Sequence, residues 1–212
     1  MLLSAVPVTA GALRLVQLTG GPAVFPADDR FAGFPVALVL HILAASVFAL
    51  LGVVQLVPRL RRNHRTWHRR NGRVVAAAGL AVSGSALWLT VLYEPQPGTG
   101  PLLLVLRLVL APAMAACLLL GVAAIRRGDI ARHRAWMVRG YALGLAAGTQ
   151  VLTGGLAEAA VGTGELRSDV AKGLGWVINL AVAEWVVRRP VRRPRRRPGA
   201  TLTRRTLAEA LP

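Results

Sequence analysis

Five apolar runs set the terms for this chain: Pro35 to Val57, Arg73 to Tyr93, Pro101 to Ile125, Trp136 to Ala160 and Val170 to Val187. Crossing ~30 Å of hydrocarbon takes ~20 predominantly apolar residues, and a helix that does so satisfies its own backbone hydrogen bonds where water cannot. Each run meets that length. The connections between them are short, and Glu94 to Gly100 reads EPQPGTG, whose two prolines and two glycines stop a helix. Successive helices are therefore antiparallel neighbours. The expected fold is all-α, a polytopic transmembrane helical bundle with five strong spans.

A sixth stretch, Leu2 to Leu18, is apolar but short, is broken by Pro7 and carries Arg14 near its end. It lacks the basic leading region of a secretory signal, so it reads as a short N-terminal span rather than a cleaved peptide. The predicted organisation is a transmembrane domain over 1–187, with spans at about 2–18, 35–57, 73–93, 101–125, 136–160 and 170–187, followed by a tail over 188–212. That tail begins RRPVRRPRRRPG. Its prolines block helix and its arginines repel one another, so it is expected to be disordered.

Charge then orients the bundle. The chain carries +17, which in a soluble protein suggests nucleic acid, yet 54% of its residues are hydrophobic and only 17% charged, against about 25% charged in soluble domains. Its basic residues lie between apolar runs rather than along one face, which argues against nucleic acid. Seven fall between Arg59 and Arg73, five between Arg126 and Arg139, and nine from Arg188 onward, 21 of the 26 in all. Alternating spans put these three segments on one side, which the positive-inside bias makes cytoplasmic together with the C-terminus. Six of the nine acids, Asp28, Asp29, Glu94, Glu158, Glu165 and Asp169, fall on the other side. A polybasic tail beside a membrane helix is attracted to anionic lipid by ~1 kcal/mol per basic residue near the surface, so the lipid bilayer and its anionic lipids are the expected partners. The lone cysteine, Cys117, excludes an intrachain disulfide and matches no metal or haem-attachment motif.

One four-residue word recurs at the basic ends: His64-Arg65-Thr66-Trp67 and His133-Arg134-Ala135-Trp136. As an anchor, it places tryptophans in the interfacial belt and arginines on lipid phosphates. As a site, it supplies histidines. His68 and His133 enter from the same face amid Arg65, Arg69, Arg73, Arg134 and Arg139, the setting a b-type haem needs for axial ligands and propionates. His64 and His68, four apart on a helix, have metal-ligand spacing without the glutamate of a zinc-protease motif, so no metal is assigned. Glu184 reads as counter-ion to Arg139 or Arg73. In the other half, His41 lies six residues after Pro35 and Arg107 six after Pro101, with Thr149 and Gln150 at similar height. These matching offsets and the doubled word hint at an internal repeat of helix pairs. Ionisable groups in a span cost ~2.5–3.5 kcal/mol on insertion scales and normally face the bundle interior with a partner. For Arg107 the plain reading is snorkelling or pairing with Glu158 or Glu94, and the functional one is an anion site or proton relay. For His41 the plain reading is a bond to a helix carbonyl or to Gln150.

Taken in order, the blocks FPVALVLHILAASVFALLGVVQ (His41, Gln55), WHRRNGRVVAAAGL (His68, Gly72, Arg73), HRAWMVRGYALGLAAGTQ (His133, Trp136, Met137, Arg139, Tyr141, Gln150) and GWVINLAVAEW (Asn179, Glu184) resemble the bacterial membrane-protein family called domain of unknown function 2306. The resemblance runs over about residues 5 to 187 and implies a multi-pass protein of the bacterial cell membrane. It implies no activity. Three readings stay open: a membrane redox protein binding haem b or quinone near the cytoplasmic face through His68, His133, His64 and Arg139; a transporter-like protein for a small anionic solute through Arg107, His41 and Gln150; and a non-enzymatic assembly or lipid-interacting protein. No nucleophile triad, phosphate loop or paired-carboxylate motif assigns an enzyme class, and Gly154-Gly155 after Thr153 lacks the lysine of a P-loop.

Overall fold

Backbone groups in an apolar medium must pair within the chain, and here they do so in helices almost throughout. The computed structural model describes residues 2–26, 28–31 and 35–189. In order these form α1 (Leu2–Leu18), a 3-10 turn (Asp29–Phe31), α2 (Val36–Gln55), α3 (Pro58–Asn63), α4 (Arg65–Leu92), α5 (Pro101–Arg126), α6 (Ile130–Gly144), α7 (Ala146–Val161) and α8 (Glu165–Arg188). Residues 190–212, and with them most of the tail expected to be disordered, lie outside the described residues.

Four helices, α2, α4, α5 and α8, are long and apolar enough to cross a membrane. They leave large apolar side chains such as Leu43, Leu50, Val105, Val109 and Val177 facing outward, as a lipid-facing surface requires. The expected fifth strong span differs. The run 136–160 is shared by two helices that meet at Leu145, 15 and 16 residues long, each too short to cross a membrane alone. At 1.5 Å per residue, α1 reaches about 25 Å and is likewise short of a full crossing. α4 begins at Arg65 rather than Arg73, so His68 is already helical.

Small residues flank the break at Leu145. The Phe48 ring occupies the space a Cβ on Gly144 would fill, and the backbone of Leu3 in α1 occupies that of Gly148. Both glycines thus admit a close approach, one on each side of Leu145. In a membrane the backbone groups freed by a break need other partners. Asn179 of α8 answers this, donating its side-chain amide to the Ala142 carbonyl (3.0 Å) and accepting from the Thr149 hydroxyl (2.8 Å). Gly84 is not such a position of close approach, since a Cβ there would meet nothing within 4 Å.

The core lies between α2, α4, α5 and α6. Phe48 and Leu118 are its most deeply buried large side chains, packed with Val75, Val82, Met114, Cys117, Tyr141 and Leu143. Tyr141 stacks obliquely on Phe48 with ring centroids 5.4 Å apart, sits against Gly52, and donates its hydroxyl to the Ala49 carbonyl at 2.8 Å. α7 packs on α8 and α1 packs on both α2 and α7. The bundle has one arginine-rich end, formed by α3 and the ends of α2, α4, α5, α6 and α8, and an arginine-poor end, called outer below.

Candidate functional site

The outer half holds a cavity of about 740 Å³ between α2, α4, α5, α7 and α8. His41, Arg107 and Gln150 all line it. Thr149, expected beside them, is instead spent on Asn179 at the helix break.

His41 reaches the cavity from α2. Its Nδ1 lies 3.0 Å from the Ser85 hydroxyl of α4, and the Val82 carbonyl of the same helix also bonds the ring, so the expected helix-carbonyl partner is present beside Ser85 and Gln150 is not one. The tautomer follows from Ser85. That hydroxyl has one hydrogen and two carbonyl acceptors on its own helix, Ala81 at 2.6 Å and Val82 at 3.1 Å. Toward His41 it is therefore placed to accept, with the proton on Nδ1 and the lone pair on Nε2.

Arg107 comes from α5. Among the described residues no carboxylate lies within 4.0 Å of its guanidinium, and no hydrogen bond holds it. The expected pairing with Glu158 or Glu94 is therefore absent. The nearest acid by electrostatic influence is Asp169 of α8, which is committed elsewhere. Asp169 is 0% exposed and accepts from the Gly100 amide (3.1 Å to each oxygen) and the Leu103 amide (2.9 Å). These are orphan donors at the start of α5, where Pro101 occupies the first turn. Lys172, one turn further along α8, adds a second cation within reach of Arg107. Sequence reasoning missed Asp169, Lys172 and Ser85 as neighbours of this site. Only the Gly-Pro helix start hinted that α5 needed an acceptor.

Gln150 is fixed by its amide, which donates to the Lys172 carbonyl at 3.1 Å. Aliphatic and aromatic side chains such as Leu110, Met114, Leu143 and Trp176 supply much of the wall. At the mouth, Arg30 forms a forked pair with Asp28 (2.8 and 2.6 Å), donates to the Glu94 carbonyl at 3.3 Å, and lies over the Phe31 ring. Phe31 in turn contacts Tyr93, centroids 5.3 Å apart. The Arg30 hydrogen bonds, ahead of all other influences, hold the Asp28 carboxyl below the usual aspartate range.

The arginine-rich end is arranged differently. Its two His-Arg-x-Trp words are not equivalent. His64 is exposed at the start of α4 and Trp67 is 39% exposed, as an interfacial anchor would be. Trp136 instead packs against the core and under the Arg139 guanidinium, 5.0 Å from its ring centroid. His133 donates Nδ1–H to the Gly121 carbonyl (2.9 Å), while His68 is half-buried and its own carbonyl accepts from Gln55 (3.2 Å). His68 and His133 are near enough for their charges to interact. Yet among the described residues no three metal-ligating side chains converge here or elsewhere. Arg139 and Glu184 form a two-pronged pair at 2.5 and 3.1 Å, extended by Arg188 at 3.4 Å.

The fold and this geometry define a polytopic α-helical membrane protein with a largely apolar, cation-bearing cavity in one half of its bundle. The chain belongs to the family described as "Predicted membrane protein (DUF2306)", whose model matches residues 38–187. That match includes His41, Arg107 and Gln150 as well as His64, His68, His133, Arg139 and Glu184, and leaves out α1 and the Arg30 turn. No curated protein and no solved structure matches the chain.

Proposed function

We propose that the chain binds a small anionic solute in the outer cavity, as a transporter-like protein would, with Arg107 as counter-charge and His41 and Gln150 beside it. One observation carries this reading: a guanidinium within a membrane span lines a cavity of about 740 Å³ without an ion-pair or hydrogen-bond partner among the described residues. A charge in hydrocarbon normally has a partner. An anion entering the cavity would supply it, and the volume is in the usual ~300–1,000 Å³ range for small-molecule sites. The arginine-rich end and C-terminus would face the cytoplasm of a bacterial cell, against its anionic lipids, which puts the cavity toward the outer leaflet. The test is uptake of radiolabelled monocarboxylates and inorganic phosphate into proteoliposomes. Arg107→Gln should abolish uptake and Arg107→Lys should retain part of it; equal rates in wild type and Arg107→Gln would remove the proposal.

A second reading, haem b or quinone at the arginine-rich end, draws support from His133. Its Nδ1–H bond to the Gly121 carbonyl leaves Nε2 as the free lone pair, the tautomer a ligating imidazole adopts. His68 would be the opposing ligand and Arg139 a propionate contact. One absorption scan of the purified protein after haem supplementation decides it: a Soret band lost in both His68→Ala and His133→Ala supports the reading, and its absence in wild type ends the haem version. Unchanged quinone binding in His68→Ala ends the other. Failure of every arm would leave an assembly or lipid-interacting role.

A further inference from the structure

The cavity sets an unpaired cation, Arg107, beside a proton acceptor, the His41 imidazole. We infer that the outer site takes an amphiphilic monocarboxylate together with a proton, the carboxylate at Arg107 and the proton at Nε2 of His41. The inference rests on the anion-binding reading above and adds the ligand class and its linkage to protons.

Three features lead there. First, the Ser85 hydroxyl has two carbonyl acceptors on its own helix, Ala81 and Val82, so toward His41 it is placed to accept; with the proton on Nδ1, Nε2 carries the lone pair. Second, Arg107 is close enough to His41 for the two charges to interact. An imidazolium beside a bare guanidinium is opposed by repulsion, and a carboxylate binding at Arg107 removes that opposition. Anion binding therefore favours protonation of His41, and by reciprocity protonation tightens anion binding. The proton comes from water and adds to Nε2; no other bond changes. Third, Leu38, Leu110, Met114, Leu143 and Trp176 give the cavity an apolar wall. That wall suits a carboxylate with an apolar body better than a strongly hydrated inorganic anion.

The surrounding charges leave His41 as the group placed to titrate with the ligand. From α4 come Ser85 and, at the outer end, Tyr93 and Glu94; from α5, Arg107; from α7, the uncharged Gln150. From α8 come Glu165 at the mouth, Asp169 bonded to the start of α5, and Lys172. α6 brings only Leu143 and Gly144 to the cavity, and α1 meets α2 through Gly11 and Ile42, its Arg14 lying 3.9 Å from Asp28. Arg30 at the mouth is already paired with Asp28.

Trp176 in the wall provides the readout. The full chain in lipid nanodiscs is titrated with 4-bromobenzoate, a heavy-atom quencher that stays ionised between pH 6 and 8. Trp176→Phe should remove most of the saturable quenching. In wild type the apparent Kd should rise at least about tenfold from pH 6 to pH 8, with uptake of up to about one proton per ligand in an indicator-dye assay. His41→Gln should bind with a flat pH profile and no proton uptake. PH-independent binding in wild type, or proton uptake unchanged in His41→Gln, overturns the linkage. If Arg107→Gln still abolishes that pH-independent binding, the anion-site reading stands without it. Quenching unaffected by Arg107→Gln, or persisting in Trp176→Phe, overturns both. Should His41→Gln fail to fold, the wild-type proton-uptake measurement decides alone.

Discussion

Removing the Asp169 carboxylate should unfasten α5 from α8 and displace Arg107 with it. Asp169 is wholly buried, and its two oxygens serve the amides of Gly100 and Leu103 at 2.9–3.1 Å. Asp169→Ala leaves both donors without an acceptor in a place water does not reach. At about 1–3 kcal/mol for each stranded group, the loss is roughly 2–6 kcal/mol. Asp169→Asn keeps one acceptor oxygen but loses the ionic part of the bonds, a loss of about 1–2 kcal/mol by the difference between charged and neutral hydrogen bonds. The assay is the fraction of monodisperse protein surviving a heating series in detergent. With about 2–4 °C per kcal/mol for a chain this long, Asp169→Ala should lower the midpoint by roughly 10 °C and Asp169→Asn by a few degrees. Glu158→Ala, on an exposed position of α7, serves as control and should stay within about 2 °C. An Asp169→Ala midpoint as close to wild type as that control would refute the assignment of Asp169 as the clasp between α8 and α5.

Gly148→Ala drives a methyl into the Leu3 carbonyl; it should cost about 1–3 kcal/mol net of any gain in helix propensity, measured by the same heating series, because α1 must withdraw. At the outer mouth, Asp28 has its carboxyl pKa depressed by Arg30. The stability it contributes is therefore present above the unfolded aspartate value near ~3.9 and lost as pH falls through the lower folded one. Asp28→Asn at neutral pH should mimic that loss, with faster amide exchange across residues 28–31 by mass spectrometry; unchanged exchange would mean the forked pair does not hold the turn. For orientation, a fluorescent reporter fused after Pro212 should be active in the cytoplasm and an alkaline phosphatase fusion there inactive. The opposite result would invert the bundle and with it the side from which the cavity fills.

Much of this was legible along the chain, because crossing a bilayer is a one-dimensional constraint. Run length and apolar content identify α2, α4, α5 and α8 without reference to any neighbour, and clustered arginines mark one end of the bundle. Depth along a helix is also countable, which is why His41, Arg107 and Gln150 stand out together before any packing is known. What a side chain meets at that depth is not countable. Arg107 had Glu94 and Glu158 as plausible counter-ions by sequence, but it lines the cavity instead, while the acid whose charge reaches it, Asp169, is occupied by backbone amides.

The same division applies to the rest of the molecule. Sequence alone determined a helical membrane bundle and its basic end, since hydrocarbon tolerates few other backbones and charge is easily counted. The close approaches beside Leu145 set Phe48 of α2 against Gly144 and the Leu3 backbone of α1 against Gly148, contacts between segments about a hundred residues or more apart. The two His-Arg-x-Trp words are identical in letters at three positions of four, yet Trp67 lies at the surface and Trp136 against the core. Tertiary structure decided these points because packing depends on how each helix is rotated about its axis. That rotation is set jointly by all its neighbours.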